Sequence, residues 1–181
     1  MTFFLILGFG SLSLWGVVLY NRLVRDRNRV RTAWSDIDVQ LKRRFDLIPK
    51  LVAAVDQYAA FERSTLTTLT ELRSRTQQTD EIGARGPLEG AIGSGLRKLI
   101  ALAEAYPELK ADQSFLQLQN QLTEVENHIQ YARRFYNGAV RNLNIRIESF
   151  PDLIIARLFH YTPYPLFELE SPDEATPPEM R

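Results

Sequence analysis

Eighteen residues without a charge, Phe3 to Tyr20, run into a helical pattern with no Pro or Gly at the junction. After the apolar stretch comes an arginine-dense segment, Asn21 to Arg31. Val30, Trp34, Ile37, Leu41, Phe45, Ile48, Val52, Val55, Ala59, Leu66 and Leu69 then recur, mostly at spacings of four and three. A strand would alternate with period two, so the pattern predicts a helix. Spacings of four and three imply left-handed packing against a partner helix. Such a chain is constrained to be a helical bundle held rigidly at a membrane.

The apolar stretch reads as a retained span rather than a cleaved signal. A signal peptide wants a basic start, a short apolar core and small residues at the cleavage site. Only Met1 and Thr2 precede the apolar run, and no A-x-A-like site precedes Arg22. An eighteen-residue helix rises about 27 Å, close to the hydrocarbon thickness once Leu23 and Val24 are added. Trp15 and Tyr20 suit the interface, where Arg22 and Arg25 can snorkel. Arg22, Arg25, Arg27, Arg29 and Arg31 all follow the span, against one acidic residue, Asp26. The positive-inside rule then puts the N-terminus outside and the bundle in the cytoplasm, single-pass in the inner membrane.

Helix one is expected to reach about Gln78, kinked but not ended by Pro49, because the heptad phase survives from Ile48 to Val55. A linker rich in Gly and Pro, ending at Pro87, suits the start of helix two at about Leu88. Its stripe is Ile92, Leu96, Leu99, Ala103 and Tyr106, and Pro107 ends it. Gly90, Gly93 and Gly95 should fray its first half or pack it very closely against a neighbour. Helix three is expected over about Ala111–Ser149, with Asp112 as N-cap and a seam from Phe115 through Leu122, Ile129, Tyr136 and Leu143 to Phe150. Pro151 opens a short apolar helix, Asp152–Phe159. The expected architecture is all-α: an N-terminal transmembrane helix continuous with a long-helix antiparallel bundle, three main helices plus a short C-terminal one. The divisions are an anchor over 1–24, a bundle over 25–168 and an acidic disordered tail over 169–181.

Composition excludes more than it selects. The chain has 181 residues and zero net charge, which argues against a general nucleic-acid binder. It has no cysteine, so no disulfide, thiolate metal site or cysteine nucleophile. Only His128 and His160 could serve a di-iron bundle, which needs two Glu-x-x-His motifs; Glu124 and His128 stand four apart and have no second pair. Asp36 and Asp38, two apart, fall on different helix faces. No nucleophile elbow, Walker loop or zincin motif is present. No catalytic, cofactor-binding or metal residue is assigned, and no small-molecule substrate is identified.

Two basic clusters remain. The arginines from Arg22 to Arg31 serve as a topology signal and can attract anionic lipid headgroups, at about 1 kcal/mol per residue near the surface. Lys42, Arg43 and Arg44 stand about 30 Å further along the helix. They read either as ion-pair partners within the bundle, with Asp38 and Asp46, or as a docking patch for another subunit, displayed by the bend at Pro49. Asn28, Asn137, Asn142 and Asn144, with Gln119 and Asn120, lie beside or between seam positions, where buried amides can fix register.

Three stretches carry a resemblance. Residues 28–52, from Asn28-Arg-Val-Arg-Thr-Ala-Trp-Ser to Phe45-Asp-Leu-Ile-Pro-Lys-Leu-Val, form the first. Residues 105–127, Ala105-Tyr-Pro-Glu-Leu-Lys to Glu124-Val-Glu-Asn, and residues 131–144, Tyr131-Ala-Arg-Arg-Phe-Tyr-Asn-Gly-Ala-Val-Arg-Asn-Leu-Asn, are the others. They closely resemble the LemA family, in order, from about residue 17 to 168. The family more often has Asn at Lys50 and Gly-Phe near His160-Tyr161, and the Gly-rich start of helix two is atypical of it. The resemblance implies a bacterial membrane-anchored helical protein and implies no reaction or cofactor; magnetosome relatives suggest membrane organisation. The residues therefore read as a non-enzymatic membrane-anchored scaffold that self-associates or recruits a protein partner. The alternative is a transmembrane sensor or signalling stalk.

Overall fold

Helix α1, Thr2–Asp56, is uninterrupted from the apolar stretch into the heptad-patterned segment in the computed structural model, which describes residues 1–56, 63–79 and 81–168. The remaining elements are α2 (Arg63–Gln77), α3 (Ile82–Ala103), α4 (Pro107–Ala111), α5 (Gln113–Glu148) and α6 (Asp152–Leu158). The described residues are all-α, with no strand. Ala59 and the expected acidic tail from residue 169 lie outside them.

The described residues form two compact units: Met1–Ile37 with Ala132–Leu166, and those of Asp38–Tyr131 with Phe167 and Glu168. In the first unit α1 and α5 run antiparallel. Arg146 meets Asp26 at 2.6 Å, and Trp34 packs at a tilt against Tyr136 with ring centres 5.5 Å apart. Leu23, Val30, Ala33 and Ile37 of α1 are buried, as are Tyr136, Val140, Leu143 and Ile147 of α5. Trp34, expected in the core, is only half-buried, because Ala33 takes the inward position and leaves the indole at the seam's edge. Phe150, expected to end the α5 seam, lies beyond the helix end and is exposed.

In the second unit α2 lies along α1 in the opposite direction. Leu66, Thr67 and Thr70 line one groove with Val52 and Asp56, and Arg73 reaches Phe45. The expected single helix to Gln78 is thus replaced by two described helices. The heptad pattern could not separate a helix that continues from one that doubles back, since both bury a stripe of the same spacing. Leu51 rather than Val52 points fully inward, and Val55 stays buried, so the spacing of three and four continues across Pro49 through Leu51. Pro49 does not stop α1. It cannot donate to the Phe45 carbonyl four residues earlier. That carbonyl accepts from Arg73 Nε of α2 at 3.1 Å instead.

Helix α3 begins at Ile82, five residues before the proline expected to open it. Pro87 withholds only the bond to Gly83, whose residue is exposed, so its carbonyl can take water. Its glycine-rich half is helical and closely packed: a Cβ on Gly95 would come 2.7 Å from Cδ2 of Leu69. Tyr106 is half-buried, while Ile92, Leu96, Leu99 and Ala103 are buried as the stripe required. Asp112 caps α5, its carboxylate accepting from the Phe115 N–H at 2.9 Å.

The chain after α6 is pinned to α5 in the first unit. Asn144 accepts from the Tyr164 N–H and donates to the Tyr164 carbonyl, both at 2.9 Å, and the Tyr136 hydroxyl donates to the Pro165 carbonyl at 2.9 Å. Burial pushes that phenol up to about 12. Asn144 is thus an amide with a structural task, holding this strap. Asn28, Asn120 and Asn142 are exposed.

Candidate functional site

The arginine segment divides by exposure. Arg22, Arg25, Arg29 and Arg31 face solvent. Arg27 is half-buried and lies over the Tyr161 ring, 5.0 Å from its centre. The one acidic residue in the run is occupied: Asp26 holds Arg146, which also donates to Asp152 at 3.3 Å. Burial works against the Arg146 cation, but the bonds to Asp26 and Asp152 outweigh it and raise its pKa. Four guanidinium groups are left available just beyond the apolar segment.

That segment has no protein cover up to Trp15. Its side chains from Phe3 to Trp15 are exposed, and α1 is long and apolar enough there to cross a membrane. The Ser11 and Ser13 hydroxyls donate to the Leu7 and Phe9 carbonyls at 2.9 Å. Both polar groups are satisfied within the helix, the condition for residing in hydrocarbon.

In the second unit the cluster Lys42-Arg43-Arg44 is split. Lys42 and Arg43 are exposed, and Lys42 pairs with Asp38 at 2.8 Å. Arg44, expected on a displayed patch, is 1% exposed. It occupies the seam position between Leu41 and Ile48, where a side chain must point inward. There it binds the Glu89 carboxylate and carbonyl of α3 and the Glu126 carboxylate of α5, the last at 2.9 Å. Glu89 is 0% exposed. Burial raises its pKa, an effect that Arg44 and Arg85 only partly offset. Arg85 of α3 reaches Asp38 at 3.1 Å. Burial pulls the Asp38 carboxyl upward, but bonds from Lys42 and Arg85 prevail and lower it. The pairs 38/85 and 44/89 set α3 parallel to α1, and 44/126 joins α5 to the same point. Neither Glu89 nor Glu126 was singled out by sequence reasoning. The available signal was a charge standing at a seam position.

Arg43, Asp46 and Leu47 of α1, with Gln121, Glu124, Val125 and His128 of α5, line an open groove of about 250 Å³. Pro49 is exposed one turn beyond Asp46. His128 is exposed and lies 3.6 Å from Glu124. His160 is exposed at the end of α6, and Asp36 is exposed on α1. Among the described residues no three His, Cys, Asp or Glu side chains converge as a metal site would require.

Residues 33–181 match the LemA family. Protein LemA of Metamycoplasma hominis is 30% identical over 161 residues, 86% of this chain and 73% of that protein. Magnetosome protein MamQ 2 of Paramagnetospirillum magneticum is 27% identical over 158 residues, 73% of this chain and 58% of its own length. MamQ of Magnetospirillum gryphiswaldense is 22% identical over 161 residues, with the same shares of 73% and 58%. The matched segment contains the buried Arg44–Glu89–Glu126 cluster and the whole of α5, and the chain belongs to the LemA family.

Proposed function

We propose that this chain is a non-enzymatic helical scaffold, anchored by α1 in the inner membrane and assembling with copies of itself or with a protein partner. One observation carries the reading: a single helix bears both an uncovered apolar segment of membrane length and a buried helical seam. Arg22, Arg25, Arg29 and Arg31 follow the apolar segment, which supports an N-terminus outside, a bundle in the cytoplasm and contact with anionic headgroups. The magnetosome proteins among its relatives favour membrane organisation, by analogy alone.

The contact surface in this reading is the exposed face with Lys42, Arg43 and Pro49. Arg44 drops out of it. The groove beside Arg43 carries both signs, Arg43 against Asp46 and Glu124. Opposite charges on one face suit a two-fold contact, in which Arg43 of one copy meets Glu124 of the other. Cross-linking of the full chain in native membranes should give a ladder or a partner band. Arg43→Glu should weaken it, and adding Glu124→Arg should restore it. A single monomer band at every concentration, with no partner recovered, refutes the scaffold. A reporter active only in the periplasm, fused after Arg181, should stay silent; activity there reverses the topology.

The second reading, a signalling stalk, is favoured by one feature. Helix α1 carries both the apolar segment and Arg44, the hub of the buried cluster.

A further inference from the structure

Helix α6 is apolar on the side turned away from the protein. Asp152 and Ala156, four apart, are its buried side. Ile154 and Leu158 are displaced from them by two residues, about 200° around the helix, and are 56% and 66% exposed. Phe150 before the helix and Phe159 after it are 78% and 51% exposed. A surface helix in water carries polar residues on its outer side. Four large apolar side chains so close together mark a site of contact with a partner or a membrane.

The position of α6 in its own unit says what covers it. Ile155 turns toward α1, its Cδ1 3.9 Å from where a Cβ would stand on Gly16. Phe159 packs on Tyr20, with ring centres 4.5 Å apart. Gly16 and Tyr20 belong to the last turns of the apolar segment, after Trp15 and before Arg22. A spanning helix sets its aromatic residues at the headgroup level and its first arginines just outside. At 1.5 Å per residue, Gly16 lies about 9 Å deeper than Arg22. Helix α6 is therefore held at the depth where interfacial helices lie, about 5–10 Å into the boundary of headgroups and acyl chains. Its apolar outer side is continuous with the lipid-facing surface of α1, and exposed Arg157 can extend to a phosphate.

We propose that Phe150, Ile154, Leu158 and Phe159 form a second membrane contact, an in-plane anchor seated in the bilayer interface beside the span. This rests on the reading of α1 as a membrane helix. One span alone leaves the attached helices free to tilt and rotate. A second contact on α6 fixes the angle at which they leave the bilayer.

The chain has no cysteine, so single cysteines can be placed and spin-labelled in the full-length protein in phospholipid vesicles. The sites are Ile154, Leu158, Phe9 in the apolar segment and exposed Ser74 on α2. Collision with oxygen, which concentrates in lipid, is compared with collision with a water-soluble nickel chelate. Labels at Ile154 and Leu158 should follow Phe9, with oxygen favoured, while Ser74 shows the reverse order. Phe9 in lipid with Ile154 and Leu158 open to nickel overturns the interfacial anchor and leaves the span intact. Ile154 and Leu158 sheltered from both reagents means that protein covers α6, and also overturns it. Phe9 open to nickel removes the span, and the anchor with it.

Discussion

Pro49 and Arg73 should behave as one unit. Proline in a helix interior costs about 3 kcal/mol relative to alanine. Part of that cost is the orphaned carbonyl of Phe45, and Arg73 Nε supplies that carbonyl with a donor at 3.1 Å. A hydrogen bond from a charged donor contributes about 1.5–3 kcal/mol. Pro49→Ala should therefore stabilise by only about 1 kcal/mol, since much of the loss is already recovered. In the parent, Arg73→Met keeps the aliphatic stem but leaves the carbonyl without a partner, and should cost about 2–3 kcal/mol. In the Pro49→Ala background the backbone N–H returns, and the same change should cost less than about 1 kcal/mol. The coupling is then about 1–2 kcal/mol, large enough for a double-mutant cycle. Urea unfolding of the full chain in micelles, followed by helical circular dichroism, measures it. Equal costs for Arg73→Met in both backgrounds would refute the argument.

Other outcomes follow from single contacts. Gly138→Ala on α5 meets nothing within 4 Å and should stabilise by up to about 1 kcal/mol, whereas Gly95→Ala meets buried Leu69 at 2.7 Å and should destabilise by about 1–2 kcal/mol, both read as shifts in unfolding midpoint. His160 has φ 54° at the left-handed position that ends α6, where the Tyr161 N–H donates to the Ala156 carbonyl at 2.9 Å; His160→Gly should stabilise by about 1 kcal/mol in the same assay. The raised pKa of Glu89 means that the folded state holds its proton more tightly than the unfolded state, whose value is near 4.5. Its contribution is complete below that value and is lost as pH rises through the folded value. The parent should therefore gain stability relative to Glu89→Gln on acidification toward pH 4.5, and parallel pH profiles would count against a Glu89 pKa raised by burial.

The helices were legible because their buried stripes are periodic, whereas the register of α1 on α5 comes from contacts such as Asp26–Arg146 that spacing does not convey. Leu122, Ile129, Tyr136 and Leu143 are buried as the spacing demanded. What periodicity could not convey is direction. Leu66 and Leu69 fit the α1 phase and are buried, yet they belong to α2. Proline was misread at one end and half-read at the other. Pro87 lies inside α3, since one lost bond at a solvated first turn ends nothing, and Pro49 was recognised as a break in the bond ladder without the donor that repairs it. Arg73 stands 28 residues away from Phe45, and only tertiary structure brings them together. The charge of Arg44 and the exposure of its neighbours hid a plainer signal. Leu41, Arg44, Ile48 and Leu51 keep the spacing of three and four, so Arg44 had to point inward. Glu89 fills the corresponding gap before Ile92 on α3, and opposite charges in two seams are natural partners.

The Arg44 cluster is better explained by register than by stability. At about 3 Å and an effective dielectric near 20, one ion pair attracts by about 5 kcal/mol. Removing each ion from water costs several kcal/mol, so the net contribution is small. The cost of misplacement is larger. Sliding α3 by one turn along α1, about 5 Å, would carry Glu89 away from Arg44 and bury both charges unpaired. Separating such a pair costs about 3–5 kcal/mol. Helix α3 needs that discrimination, because Gly86, Gly90, Gly93 and Gly95 offer no side chains to interlock along ten of its residues. Arg44→Met or Glu89→Met alone should therefore destabilise by about 3–5 kcal/mol, while the double replacement should be close to the parent or above it. If register is the role, the stable double variant should show multiple or broadened methyl resonances from Ile92 and Leu96, where the parent shows one sharp set. A double variant with one sharp set would mean that packing alone seats α3, and that the charges are dispensable for the fold.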